Sequence, residues 1–160
     1  MFQQLAFKMW EGGQFLFSFF GAFAAQHPEI GAQFRQHWPD IDLVEINNPF
    51  HGLAVRFQQS VYRPEKEDLP ELVSAQVREI SRQNPNVRLV LLRTECWGGD
   101  CCYWGQFILN GQVVMNEAIR APQESRGVLR RLIANLDADI GPYELFEPLS
   151  REFPWEAVNE

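Results

Sequence analysis

The sequence predicts an α+β fold with a mainly antiparallel sheet, and three observations predict it. A two-residue Asn110-Gly111 turn stands between stretches of strand character at 101–109 and 112–118. A second pair of alternating stretches, 41–47 and 53–57, flanks the turn residues Asn48-Pro49 and Gly52. Helical spacings lie between and beside these strands without the repeating strand–helix–strand series of a doubly wound nucleotide fold. The expected order is helices, hairpin, helix, three-stranded meander, helix, in a single domain over 1–160.

From the N-terminus, Phe15, Phe19 and Phe23 recur every four residues with Leu16 and Phe20 beside them, which predicts a buried helix. The same run also alternates as Phe15, Phe17, Phe19, so a strand is the alternative reading. It imitates a signal-peptide core, but the residues before it hold Glu11 and Trp10 with Lys8 and lack a basic leader, and it is too short to span a membrane. Pro28 suits a first helical position, and Ile30, Phe34 and Trp38 keep a four-residue spacing up to Pro39. After the hairpin, Asp68-Leu69-Pro70-Glu71 forms a capping arrangement, and Leu69, Val73, Val77 and Ile80 make one stripe ending before Asn84-Pro85. Residues 87–96 are strand-like, 97–100 form a turn, and the meander follows. Pro122 opens a last helix with Val128, Leu129, Leu132, Ile133 and Leu136 inward and Gly141 at its end. Residues 142–160, with Pro142, Pro148 and Pro154 among Tyr143, Phe146, Phe153 and Trp155, read as an acidic strap over the core.

Composition limits the function classes. Hydrophobic residues make up 46% of the 160, with 13 Phe and 5 Trp, so a large aromatic core is expected without help from disulfides or metal. The net charge is −7, and residues 141–160 carry five Glu against Arg151 alone. With no long Lys/Arg cluster, nucleic acid is a poor partner and a basic protein a better one. Three cysteines, two of them adjacent, do not form an evenly spread disulfide framework, which favours a reduced, cytoplasmic setting.

Unusual chemistry gathers at residues 94–105, which hold Cys96, Cys101 and Cys102 with Trp97 and Trp104. If Cys96 stands opposite Cys101, then Glu95 faces Cys102 and Arg93 faces Trp104. If Asn110-Gly111 closes the next hairpin, Trp104 faces Glu117 and Gln106 faces Met115. Side chains alternate along a strand, so Arg93, Glu95, Cys102, Trp104, Gln106 and Glu117 would share one face. A one-residue slip would send any of them to the other side. A guanidinium over an indole between carboxylates suits a planar or charged ligand, while ordinary cross-strand ion pairs on a wet face explain the set more simply. Asp100 and Trp97 occupy the hairpin tip, and a tip tryptophan either folds back or anchors a partner.

Cys96 and Cys101 are placed to form a disulfide, although a buried thiol pair is expected in a reducing compartment. Cys-x4-Cys-Cys lacks a second ligand pair and the three histidines are scattered, so no metal and no cofactor is expected. Glu95 and Asp100 would raise the pKa of a nearby thiol, against a catalytic cysteine. No phosphate-binding glycine pattern, Gly-x-Ser-x-Gly or His-Glu-x-x-His occurs. Asp40-x-Asp42 and Asp137-x-Asp139 fit capping carboxylates at element boundaries, and Arg126, Arg130 and Arg131 fit the wet face of the last helix.

These readings converge on a small soluble acidic protein-binding domain rather than an enzyme, with an immunity or inhibitor protein against a basic partner as one concrete form. The alternative is an enzyme or small-ligand binder using Arg93, Glu95, Trp104 and Glu117 on the sheet face. A third form, a thiol redox protein, would need Cys96 and Cys101 to cycle between states.

Overall fold

The computed structural model describes residues 16–58, 71–97, 100–117, 125–150 and 152–155, without the side chains of Leu16 and Trp97. Among the described residues six strands form one antiparallel sheet: β1 (Leu16–Ala25), β2 (Asp42–Ile46), β3 (Gly52–Arg56), β4 (Leu89–Trp97), β5 (Asp100–Leu109) and β6 (Gln112–Glu117). Their order across the sheet is β2-β3-β1-β4-β5-β6. The helices are α1 (Gly31–His37), entered through a short 3-10 turn at Pro28–Ile30, α2 (Glu71–Gln83) and α3 (Val128–Ala134). The α+β class is as the sequence predicts.

The run expected as a buried helix is the central strand β1. It pairs with β3 on one side and β4 on the other, and thereby joins the predicted hairpin to the predicted meander. Phe20, Ala22 and Ala24 belong to the core on one face and Phe19 and Phe23 to the core on the other. A strand apolar on both faces carries no alternation, so its sequence also satisfies a helical period.

Helices cover both faces. Phe20, Val55, Leu89, Leu91, Trp104 and Ile108 pack with Phe34 and Trp38 from the α1 region and with Val73, Val77 and Ile80 of α2. On the opposite face, Phe19, Phe23, Val90, Leu92 and Phe107 meet Val128, Leu129, Leu132, Ile133 and Leu136 from α3 and the turn after it. Gly105 lets α3 approach this closely. A Cβ there would stand 2.7 Å from both Leu132 Cδ1 and the Leu91 carbonyl oxygen. Ser81 on α2 accepts a hydrogen bond from the Gly111 backbone N–H at 3.0 Å and so fixes the β5–β6 turn against the helix.

The C-terminal strap lies on the α3 face. Phe146 meets Phe23 edge-on at 4.8 Å between ring centroids, Trp155 approaches Phe19 at 5.8 Å, and the indole N–H of Trp155 donates to the Pro148 carbonyl. The guanidinium of Arg56 stands 5.1 Å from the centre of the Trp155 ring, a cation–π contact at the strap's far end. Gly127 and Gly141 take positive φ before and after the α3 region, and the predicted opening at Pro122 lies outside the described residues, as does the Asp68 cap of α2. Among the described residues no helix is long and apolar enough to cross a membrane.

Candidate functional site

Turn length places the β4–β5 residues as the sequence predicts. Arg93 pairs with Trp104, Glu95 with Cys102 and Cys96 with Cys101, and the strands continue one further rung to Trp97 and Asp100. The Gly98-Gly99 tip and the Trp97 side chain lie outside the described residues.

The β5–β6 pairing differs. Leu109 faces Gln112 and Ile108 faces Val113, but Phe107 then faces Met115, so Val114 is an extra residue in β6. Past this bulge Glu117 stands opposite Gly105 rather than Trp104, and Gln106 faces Asn116 rather than Met115. Glu117 therefore leaves the set with Arg93, Glu95 and Trp104. It is on the α3 face, where its Oε1 accepts a hydrogen bond from Arg131 Nε at 2.9 Å.

The remaining polar residues lie on the α1–α2 face, and all but half-buried Gln106 are interior. Arg93, Glu95 and Cys102 are essentially inaccessible and Trp104 is buried. Arg93 Nη2 stands 3.7 Å from Glu95 Oε1, Ser18 Oγ donates to Glu95 at 2.9 Å, and Ser74 Oγ donates to Gln106 Oε1 at 2.8 Å. Burial pushes the Cys102 thiol up to about 11, the charges of Asp100 and Glu95 add to this, and a Ser125 hydrogen bond opposes it. Such a thiol stays protonated near neutrality and is a poor nucleophile. Asp100 is exposed at the tip. As an open docking face for a protein, the Arg93, Glu95, Cys102 and Trp104 set is not available: it is an inner polar cluster among aromatic side chains.

Cys96 and Cys101 are joined, with their Cα atoms 4.1 Å apart, in place of the expected buried thiols. The bond and its neighbours Phe17, Thr94 and Tyr103 form the floor of a cleft of about 730 Å³ on the α3 face. Leu129 of α3 forms one side. The segment after α3 forms the other, with Ile140, Leu145 and Phe146 among the carboxylates of Asp139, Glu144 and Glu147. Among the described residues no group of three or more His, Cys, Asp or Glu is placed to hold a metal ion.

No protein-family model, curated protein or solved structure matches this chain.

Arg130 holds Asp139 through two hydrogen bonds, 2.9 and 3.1 Å, and this contact keeps the Asp139 carboxyl below the usual carboxylate range. The Arg130 backbone N–H donates to Glu144 at 3.0 Å, which fixes that carboxylate at the mouth of the cleft. Burial, with Glu144 nearby, pushes the Tyr103 hydroxyl up to about 12. Glu147 touches Asn48 at 3.5 Å and is otherwise directed to solvent. Tyr143 and Leu145 are 84% and 77% exposed in the same segment. Acidity and aromatic content mark this region in the sequence, but a non-periodic segment carries no register that would predict which sheet residues it faces.

Proposed function

We propose that the chain is a binding protein rather than an enzyme, and that the cleft beside Cys96–Cys101 takes a basic segment of a protein partner. The observation that carries this reading is a cleft in which half-buried Phe17 and Tyr103 stand with exposed Leu145 and the carboxylates of Glu144 and Glu147. An apolar side chain of the partner seats on the floor while its Lys or Arg neighbours meet the rim. Exposed Tyr143 and Leu145 extend the contact beyond the cleft, since large apolar side chains left in water beside a concavity suit an interface. The net charge of −7 favours encounter with a basic protein and opposes nucleic acid. An inhibitor or immunity protein that covers a basic surface is the concrete form of this reading.

A cytoplasmic setting is part of the proposal with one condition. Cytoplasmic thiols are kept reduced, so there the Cys96–Cys101 pair would stand open.

The test is a chemical-shift titration with a short peptide of alternating lysine and leucine, set against one of alternating glutamate and leucine. Salt-sensitive shifts at Phe17, Tyr103, Leu129 and Leu145 with the basic peptide alone support the reading, and equal responses to both peptides refute it.

A further inference from the structure

The Cys96–Cys101 bond belongs to the floor of the acidic cleft rather than to the closed core. Both residues are half-buried, on the rung next to Thr94–Tyr103 on the same face, with Phe17 beside Cys96 on β1. The third cysteine is held apart from them. Alternation along β5 turns Cys102 to the opposite face, where it is fully buried, so it cannot reach the pair through the sheet. Opening and reclosing Cys96–Cys101 therefore meets no competing thiol inside the fold.

We propose that Cys96–Cys101 is a thiol-exchange site reached through the cleft, opened by neutral or cationic thiols and shielded from anionic ones by the Glu144 and Glu147 carboxylates. The inference rests on the cleft being open to solutes, as the binding reading requires. A thiolate of an entering dithiol forms a bond to Cys101 Sγ. The Cys96–Cys101 bond breaks, and its electron pair leaves on Cys96. Thr94 Oγ1 stands 3.7 Å from Cys96 Sγ and donates to the Cys102 carbonyl at 3.1 Å, so a turn of the hydroxyl presents its proton to the departing thiolate. The reagent's second thiolate then attacks its own sulfur in the mixed disulfide and displaces Cys101. Both cysteine thiolates take up the protons that the dithiol gave to solvent. The reagent leaves as a cyclic disulfide, oxidised by the two electrons that reduce the cysteine pair. Exchange opens the covalent tie across the β4–β5 tip and changes the cleft floor that the binding reading uses.

The experiment exposes the full chain to thiols without denaturant, quenches with iodoacetamide and counts adducts by intact mass. No adduct is expected before reduction, two after dithiothreitol, and a third at Cys102 only after denaturation. Cysteamine and mercaptoethanesulfonate, as monothiols, open the pair by forming a mixed disulfide with Cys101 and freeing Cys96 for one adduct, and cysteamine is expected to do so faster, with the gap narrowing in high salt and in Glu147→Gln. Thr94→Val is expected to keep the bond but slow its opening several-fold. A pair that resists dithiothreitol until the chain is denatured overturns the site. Rates whose ordering ignores salt and Glu147→Gln overturn the route through the cleft, and an unchanged rate in Thr94→Val overturns Cys96 as the leaving sulfur. Adduct counts do not depend on peptide binding by the oxidised chain, so exchange without peptide binding removes only the binding reading, and binding without exchange removes only this one.

Discussion

Arg93 Nη2 and Glu95 Oε1 stand 3.7 Å apart on one face of β4, with side chains 1% and 3% exposed. They belong to the inner polar cluster with Cys102, and exposed Ser18 donates to Glu95 from its edge. Removing one member leaves the other charge buried. Arg93→Ala is expected to cost about 3–5 kcal/mol of stability, whereas Arg93→Met combined with Glu95→Leu costs less than that single change. Urea denaturation of both variants checks this, and a double variant weaker than Arg93→Ala would mean the charges stabilise the fold in their own right.

The bulge at Val114 makes β6 unequally tolerant of deletion. Removing Val114, which is 61% exposed, leaves Ile108–Val113 and Phe107–Met115 as consecutive regular pairs, so a change within about 1 kcal/mol is expected. Removing Asn116 instead turns Glu117 to the face of Trp104, away from Arg131. Thermal melts of the two deletions should separate clearly, with the Asn116 deletion the lower.

Stability at alkaline pH follows from two raised pKa values. Cys102 is raised from 9.0 to about 11 and Tyr103 from 10.0 to about 12. The folded state therefore holds protons that the unfolded chain releases. Their contribution is fully present below pH 9.0 and is lost as pH rises through about 11 and then about 12. Urea midpoints should fall over that window, and the fall should be shallower in Cys102→Ala combined with Tyr103→Phe.

Gly105 seats α3 on the sheet. Gly105→Ala puts a methyl against the Leu91 carbonyl, which belongs to the backbone of the neighbouring strand and cannot rotate away. A loss of about 1–3 kcal/mol is expected, comparable to other overpacked cores. Differential scanning calorimetry reads it directly, and an unchanged melting temperature would mean that β4 and α3 both give way to the methyl freely.

Local chemistry made the β4–β5 hairpin readable, because one turn length sets every pair from Cys96–Cys101 to Arg93–Trp104. One strand later the pairing departs from what turn length implies. Val113, Val114 and Met115 are all apolar, so nothing in their pattern signals an extra residue, and a single bulge moved Glu117 across the sheet. β1 was ambiguous for a related reason: its phenylalanines serve two cores, and two buried faces erase alternation. The inner cluster was visible as a set of residues but not as buried, since burial depends on what covers the face. The cleft depended on packing between residues 139–150 and the sheet, where no period links the two.

The most direct test of binding at the acidic cleft is calorimetric titration of the lysine–leucine peptide into the oxidised chain, its Leu145→Ala variant and its Glu147→Lys variant. Saturable, salt-sensitive binding to the parent chain is expected, weaker in both variants and weakest in Glu147→Lys, where a rim charge reverses. Equal affinity for all three chains would contradict it.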